Sequence, residues 1–211
     1  MSTATLLPPT QDMPTKPKPA ANQALAARAL PARAVPHRIV LTGFMGSGKT
    51  TAGSLLATLL NWRFLDLDHE IEARHHRTVP QIFAEQGEAH FRHLEASTLA
   101  SLLGQRNVVL ALGGGAPEEL GNRLLLEQTP HTAVIYLAAP FDTLVDRCTA
   151  QAADPAATAR PNLADRAAAE RRFRLRRPHY ERIAAHILDT ADLTLDQAVN
   201  AILHLLRAEA S

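Results

Sequence analysis

The segment Gly43-Phe-Met-Gly-Ser-Gly-Lys-Thr50 is the feature that most restricts the fold of this chain. It follows Arg38–Thr42, a short run with branched apolar residues that predicts a buried β-strand. It leads into Lys49–Leu60, where apolar residues recur at helical spacing. A strand, a glycine-rich turn and a helix in this order are typical of an α/β domain, in which strands run parallel and helices cross between them.

The same segment has the chemistry of a phosphate-binding loop. Its glycines let the backbone curl so that successive N–H groups point at phosphate oxygens, and the following helix adds its positive dipole end. Lys49 is placed to bridge the β- and γ-phosphates, and the Thr50 hydroxyl to bind Mg²⁺. We therefore predict binding of ATP with Mg²⁺, a chance glycine-rich turn being the alternative. The residues predicted to hold the nucleotide here are Gly46, Ser47, Gly48, Lys49, Thr50 and Thr51.

Strand and helix patterns alternate from Arg38 onward, which predicts an α/β fold of three α/β/α layers around a parallel sheet. The predicted strands are Arg38–Thr42, Arg63–Asp66, Asn107–Leu112, Thr132–Leu137 and His186–Asp189. The predicted helices after Lys49–Leu60 are one from the capping box at Thr78 to Gly87, Glu88–Leu103, one before Thr132, Phe141–Cys148, Asp165–Arg177 and one capped at Thr194. Pro178 is expected to end the helix that precedes it.

Residues 1–36 differ in composition from the rest of the chain. Seven prolines interrupt them, and most of the other residues are Ala, Thr, Gln or basic. Such a composition buries too little apolar surface to fold, so we predict a disordered leader over 1–36 and one folded domain over 37–211. An acid-poor leader with arginines is also typical of an organelle transit peptide, but its sparse serine and many prolines favour a plain tail.

The charge balance argues against nucleic-acid binding as the main task. The net charge is +1, and the leader holds four basic residues and one acidic residue, so the remainder is slightly acidic. No apolar run approaches the roughly 20 residues of a spanning helix. The single cysteine, Cys148, fits a reducing compartment. We therefore expect a cytoplasmic monomer whose partner is a small-molecule substrate, with neither nucleic acid nor membrane as a partner.

Other features narrow the class of nucleotide-binding protein. GTPases read guanine through an Asn-Lys-x-Asp segment, which is absent. Motor and pump ATPases usually end an apolar strand in an acidic residue, whereas the strand that ends at Leu112 is followed by Gly113–Gly115. These differences and the length of 211 residues favour a kinase that acts on a small molecule.

Several further motifs follow the phosphate loop in a fixed order. They are Leu65-Asp66-Leu67-Asp68, Ile71-Glu72, Ile82-Phe83, Gly87-Glu88, Phe91-Arg92-His93-Leu94-Glu95, Gly113-Gly114-Gly115, Arg160-Pro161-Asn162-Leu163 and Arg176-Arg177-Pro178-His179-Tyr180. This ordered set resembles the shikimate kinase family over residues 38 to about 206. The resemblance implies a five-stranded parallel sheet of the nucleoside-monophosphate-kinase type, with a mobile lid and a substrate-binding helical region. It also implies transfer of the γ-phosphoryl group of ATP to the 3-hydroxyl of shikimate.

Two carboxylates alternate at the end of the second predicted strand, where open α/β sheets bind ligands. A kinase needs one carboxylate near Mg²⁺ and one to orient or deprotonate the attacking hydroxyl. The resemblance assigns Asp66 to the metal side together with Thr50, and Asp68 to the substrate hydroxyl. A helix N-cap followed by a solvated acid is the alternative interpretation.

Arg92 and Glu95 are three residues apart on one helix face, and this spacing alone favours a surface ion pair. The resemblance implies instead that Arg92 and Arg176 bind the substrate carboxylate, while Glu95 holds Arg92 or a ring hydroxyl. It further implies that Gly113, Gly114 and Gly115 approach substrate hydroxyls as bare backbone. A simple strand-ending turn is the alternative for these glycines.

The resemblance assigns two further arginines to the nucleotide. Arg160 is expected to close with the lid and neutralise the transferring phosphate, and Arg147 to pack on adenine. The stretch between them is longer than the family pattern, so Arg166 is the alternative lid arginine. Most of the other arginines up to position 182 are interpreted as a solvated basic face.

Two rival functions stay open at this stage. One is a kinase for another small polyol acid, such as gluconate. The other is a catalytically inactive homologue, which the presence of Lys49, Asp68 and Arg92 argues against. Phe83 and Phe91 would wall the substrate ring in the family interpretation and are otherwise ordinary core residues.

Overall fold

A computed structural model describes residues 36–152 and 165–208 of the chain. Its five strands are β1 (Arg38–Thr42), β2 (Arg63–Asp66), β3 (Val108–Ala111), β4 (Thr132–Ala138) and β5 (His186–Asp189). They form one sheet in the order β2-β3-β1-β4-β5, and every neighbouring pair is parallel. The predicted five-stranded parallel sheet is confirmed, and each strand lies within one residue of its predicted bounds.

Helices cover both faces of this sheet, which confirms the three-layer α/β/α arrangement. They are α1 (Lys49–Leu60), α2 (Leu67–His75), α3 (Val79–Leu103), α4 (Leu120–Gln128), α5 (Phe141–Ala152), α6 (Arg166–Ile183) and α7 (Leu195–Ala208), with a 3₁₀ turn at Ala116–Glu118. On one face, Ile39, Leu41 and Ile135 pack against α1 and α7. On the other, Val40 and Leu110 pack against α2, α3 and α4. The alternation of side chains along β1 thus divides the core into two halves.

No helix within 36–152 or 165–208 is long and apolar enough to cross a membrane. The predicted leader, apart from its last residue, and the predicted lid arginine Arg160 lie outside the described residues. Both remain predictions.

Helix α3 corresponds to the two helices predicted around Gly87. The capping box is present: Gln81 N–H donates to Thr78 Oγ1 at 3.4 Å, and Thr78 N–H donates to Gln81 Oε1 at 2.8 Å. Gly87 has φ 80° and ψ 170°, which is not helical and is almost confined to glycine. The two segments therefore join through a kink at this residue.

Helix α2 was not predicted from the sequence. Only Leu67 and Ile71 of its nine residues are buried, so its apolar stripe is too narrow to stand out. Its start is defined by Asp66, whose Oδ1 accepts from the N–H groups of Asp68 at 3.2 Å and His69 at 3.4 Å. An aspartate followed by an acidic first turn was the signal available in the sequence.

The prediction that the helix before Pro178 ends at Arg177 is wrong. Helix α6 continues through the proline to Ile183. A proline inside a helix removes one hydrogen bond and costs about 3 kcal/mol. The residues beyond it repay this by packing, because Tyr180 is fully buried and Ile183 is 6% exposed. Tertiary contacts therefore override the local rule.

The kink at Gly87 gives a matched pair of stability predictions. Gly87→Ala should lower the free energy of unfolding by roughly 1–3 kcal/mol, because alanine is strained at that backbone conformation. Gly121→Ala, within α4, should leave it unchanged or raise it by up to about 1 kcal/mol, since alanine is the better helix former. An added Cβ meets nothing within 4 Å at either position, so steric overlap does not confuse the comparison. Denaturant unfolding of both variants measures the difference, and equal effects would contradict the account.

Candidate active site

The phosphate loop joins β1 to α1 at the carboxyl ends of the strands, where open α/β sheets bind ligands. Lys49 Nζ donates to the carbonyls of Gly43 and Phe44, each at 2.9 Å, so the ammonium group lies on the loop backbone. Gly46 approaches α5 so closely that a side chain there would overlap the Leu144 carbonyl. The glycine is required because the loop rests directly on that helix.

A cleft of about 890 Å³ opens beside the loop. Helices α3 and α6 contribute to its walls, and the residues after β2 and β3 contribute to its floor. Phe83 and Phe91 line it with their ring centroids 4.6 Å apart, and Phe91 is also part of the core beneath. The two rings therefore pack on the core and also line the cleft, so both alternatives from the sequence hold together.

Thr50 and Asp66, the predicted metal pair, meet at the cleft. Thr50 Oγ1 donates to Asp66 Oδ2 at 3.1 Å, while the other carboxylate oxygen caps α2. The N-cap interpretation of Asp66 and its proposed metal role thus use different oxygens of one side chain. A hydroxyl beside a carboxylate is an oxygen donor set of the kind that Mg²⁺ accepts.

Asp68 lies against the glycine turn that follows β3. An added Cβ on Gly113 would stand 2.5 Å from Asp68 Oδ1, so only a residue without a side chain fits beside this carboxylate. Burial and the neighbouring Asp66 raise the pKa of Asp68 to about 6, against the opposing pull of Lys49 and Arg92. Such a carboxylate is a stronger base than a solvated one and is still mostly ionised at neutral pH.

Arg92 and Glu95 form a largely buried ion pair and not the surface pair that spacing alone favoured. Arg92 Nη1 donates to Glu95 Oε2 at 2.9 Å, and the side chain of Glu95 is only 1% exposed. Burial raises the pKa of Glu95 to about 7 even beside the arginine. Asn122, fully buried, donates to Glu95 Oε2 at 3.4 Å and to the Ala116 carbonyl at 3.0 Å. Asn122 was not predicted as a site residue, because no motif surrounds it.

The two predicted carboxylate-binding arginines converge at Gly115. A Cβ added there would lie 2.9 Å from Arg92 Nη2 and 3.2 Å from Arg176 Nη2, although the arginines come from different helices. Arg176 is held from its other edge by Glu118, whose carboxylate accepts from Arg176 Nε. We call the turn Gly113–Gly115 the glycine corner. It brings the half-buried carboxylate of Asp68 near its first residue and two guanidinium groups to its last.

The other predicted arginines lie away from this corner. Arg147 donates to Thr190 Oγ1 and to the Ala191 carbonyl, both at 3.1 Å, which ties α5 to the loop after β5. Arg166 pairs with Asp142 at 2.5 Å and lies over the ring of Phe141. Nothing in these contacts tests the adenine role of the first or the lid role of the second. Arg172, which the sequence assigned to a solvated face, lines the cleft.

A phosphate loop, a carboxylate beside it and an arginine pair facing the same cleft define a P-loop kinase of the small-molecule type. A family model described as shikimate kinase matches residues 45–207. The chain belongs to the shikimate kinase family.

Individual relatives agree with this assignment. A shikimate kinase of Salinibacter ruber is 41% identical over 82% of this chain and 85% of its own length. A shikimate kinase from Acinetobacter baumannii, solved in complex with shikimate, superposes with a TM-score of 0.72 and 33% identity over 89% of this chain and 98% of its own. A gluconokinase from Sinorhizobium meliloti has a TM-score of 0.60 at 19% identity over 84% of this chain and 95% of its own, a likeness of fold alone.

The glycine corner predicts a graded series of variants. Gly113→Ala should lower kcat about 10- to 100-fold by displacing Asp68, because small displacements of reacting groups are costly. Gly115→Ala should mainly raise KM for the acceptor by a similar factor, since it displaces both guanidinium groups. Gly114→Ala should be the mildest, because its Cβ would meet nothing closer than 3.6 Å. Steady-state kinetics with both substrates test the order, and a Gly114→Ala loss as large as the other two would contradict it.

The raised pKa of Asp68 predicts that its removal stabilises the fold. A raised pKa means that the folded state holds the proton more tightly, so the ionised carboxylate weakens the fold above pH 6. Asp68→Asn should therefore raise the free energy of unfolding at pH 8 by roughly 1–3 kcal/mol. The gain should shrink as pH falls through 6 towards 4, where the wild-type carboxyl is protonated as well.

Denaturant unfolding at several pH values measures this gain, with the exposed Asp192→Asn as control. The same Asp68 variant should lose roughly 10²–10⁴ in kcat. An unchanged free energy of unfolding at pH 8 would show that burial of the ionised Asp68 does not destabilise the fold. Near-wild-type turnover would show that Asp68 is not the base.

Proposed function

We propose that this chain transfers the γ-phosphoryl group of ATP to the 3-hydroxyl of shikimate, giving shikimate 3-phosphate and ADP. One observation carries the proposal beyond family membership: Arg92 and Arg176 converge at Gly115, while Asp68 contacts Gly113 in the same turn. The acceptor site thus has two cations at one end and one carboxylate at the other. That polarity matches a molecule with a carboxylate at one end and a hydroxyl at the other.

The size of the corner supports a compact, rigid acceptor. Residues two apart in a chain are separated by at most about 7 Å. In shikimate, four bonds along a ring separate the carboxyl carbon from the 3-oxygen, so one face of a small ring spans the corner. Planar guanidinium groups match a carboxylate with paired hydrogen bonds, which favours an acid over a neutral sugar. Phe83 and Phe91 would cover the ring between the two ends.

The chemical step needs one proton acceptor and neutralisation of phosphate charge. As the 3-oxygen of shikimate attacks the γ-phosphorus, its proton passes to a carboxylate oxygen of Asp68, and ADP leaves with the electrons of the broken P–O bond. The Lys49 ammonium, seated on the loop backbone, neutralises the β- and γ-phosphates. Arg160, outside the described residues, is proposed to add a further positive charge from the lid.

We propose that Thr50 and Asp66, which meet at one side of the cleft, would hold Mg²⁺. The ion supplies positive charge that offsets the negative charge of the phosphates. Thr50 offers its hydroxyl oxygen, and Asp66 keeps that hydroxyl oriented while it caps α2. The remaining loop residues, with Arg147 toward adenine, complete the proposed nucleotide site.

We further propose that the protein acts as a cytoplasmic monomer without nucleic-acid partners. The near-neutral charge of +1 and the lone buried Cys148 support this view. The folded domain has no excess of basic residues to attract a phosphate backbone.

A coupled ADP-release assay tests the substrate. Turnover is expected with shikimate and ATP, and little or none with gluconate or a nucleoside monophosphate. Gluconate is the informative competitor, because it also has a carboxylate and hydroxyls but no rigid ring. Faster turnover of gluconate would overturn the shikimate assignment and leave the family and the kinase class in place.

Arg92→Ala tests the carboxylate-binding end. A charge-assisted hydrogen bond contributes about 1.5–3 kcal/mol, so KM for shikimate should rise about 10- to 150-fold. KM for ATP should barely change, because Arg92 lies on the acceptor side. Arg177→Ala is the matched control: its guanidinium pairs with Glu181 at 2.7 Å and is 60% exposed. Equal losses for the two substrates in Arg92→Ala would contradict the assignment.

A further inference from the structure

Tyr180 connects helix α6 to the glycine corner. Its hydroxyl donates to the Gly114 carbonyl at 2.6 Å, and its side chain is fully buried. Tyr180 follows Arg176 by four residues, so the two side chains leave the same face of α6 one turn apart. Arg176 Nη1 and the Tyr180 hydroxyl lie 3.6 and 3.7 Å from the point where a Gly114 Cβ would stand. The helix therefore brings both residues close to Gly114, and Tyr180 bonds its carbonyl.

The same face of α6 also reaches the phosphate loop. Phe173 packs edge-on against Phe44 of that loop, with ring centroids 5.4 Å apart. Two turns later, Tyr180 packs against Tyr136 of β4 with the rings tilted by 41° and their centroids 5.3 Å apart. Helix α6 thus rests on the nucleotide side at one point and on the acceptor side at another. Its position along its own axis fixes how far Arg176 reaches over the corner.

Pro178 makes that position dependent on tertiary contacts. It has no backbone N–H to donate to the Arg174 carbonyl, so the turn from Arg174 to Pro178, which contains Arg176, has one internal hydrogen bond fewer than an ordinary helical turn. Glu118 holds Arg176 through the Nε edge, and the Glu118 side chain is itself 36% exposed. The hydrogen bond from the buried Tyr180 side chain to the Gly114 carbonyl joins this weakened part of the helix directly to the glycine corner.

We propose that the Tyr180 hydroxyl is a positioning group for the acceptor: by holding the Gly114 carbonyl, it sets the place of Arg176 over Gly115. This inference rests on the proposed function, since it concerns the binding of the substrate carboxylate. Two parallel hydrogen bonds to a carboxylate require a guanidinium in a fixed place and plane, so a small shift of the helix weakens them. Burial raises the pKa of the tyrosine hydroxyl, which therefore stays a donor at every working pH.

Two tyrosine-to-phenylalanine variants test the inference. Tyr180→Phe removes the hydroxyl that bonds Gly114 and keeps the packed ring. Tyr136→Phe removes a hydroxyl from the same aromatic cluster and serves as the matched control. KM for shikimate should rise about 5- to 10-fold in Tyr180→Phe, the effect of one lost hydrogen bond, and stay within about twofold of wild type in Tyr136→Phe. KM for ATP should not change in either, and thermal unfolding of both variants reports any general loss of stability.

A double-mutant cycle separates positioning of Arg176 from general stability. If Tyr180 acts through Arg176, the KM effect of Tyr180→Phe should largely disappear in an Arg176→Ala background, since coupled residues are not additive. Additive effects, an unchanged KM for shikimate in Tyr180→Phe, or equal rises for shikimate and ATP would each overturn the inference. Wild-type enzyme is assayed in the same series. Failure of the wild type to phosphorylate shikimate would overturn the proposed function and this inference together, whereas a normal wild type with an unaffected variant overturns the inference alone.

Discussion

The parallel pairing of β1 with β3 determines where the chemistry of this protein takes place. Leu41 and Ala111 are in register, and the Leu112 N–H donates to the Leu41 carbonyl at 3.0 Å. The two segments therefore stay paired beyond the end of β3. The segment after β1 is the phosphate loop, and the segment after β3 is the glycine corner. Phosphoryl donor and acceptor are therefore side by side because two adjacent strands end at the same edge. A slip of one residue would turn every core side chain of β1 to the wrong face, which keeps this register fixed.

The carboxylates that line the cleft are stabilised mainly by other groups of the protein. Burial raises the pKa of both Asp68 and Glu95, and the positive charge of Arg92 opposes that rise at both carboxylates. Asn122 donates to the same Glu95 oxygen that accepts from Arg92, and because it is neutral it supports the carboxylate without adding a second buried charge. Groups held in this way need little rearrangement when substrate charge arrives, which is the basis of electrostatic preorganisation.

The sequence predicted the fold closely because its information is local. The three central strands are mostly apolar runs, the two edge strands are short segments with an apolar pair, and the phosphate loop is a contiguous motif. Two supporting residues were missed because their contacts join distant parts of the chain. Asn122 meets Glu95 across 27 residues, and Glu118 meets Arg176 across 58, so neither leaves a pattern in a local window. The end of α6 was predicted wrongly for the same reason. The rule that a proline ends a helix is local, whereas the packing that overrides it at Pro178 involves distant parts of the chain.

For the site residues, too, local spacing predicted some features, and others depended on tertiary packing. Spacing alone placed Arg92 and Glu95 on one helix face but favoured exposure, because burial depends on what the rest of the chain brings against them. Only the ordered set of motifs indicated that Asp68, the glycine corner and the two arginines belong to one cleft. Their closeness is a property of three elements, α2, α3 and α6, that meet over the sheet edge.

The bare backbone of the glycine corner has a consequence for how this enzyme can diversify. The floor of the proposed acceptor site is made of main chain, and side chains at Gly113 or Gly115 would collide with Asp68 or with Arg92 and Arg176. Mutation of Gly113 or Gly115 therefore offers no graded route to a new acceptor. Substrate range can drift only through the walls, where α3 contributes Phe83 and α6 contributes Arg172. Directed evolution toward other hydroxy acids would do best to randomise those two helices and to leave the turn untouched.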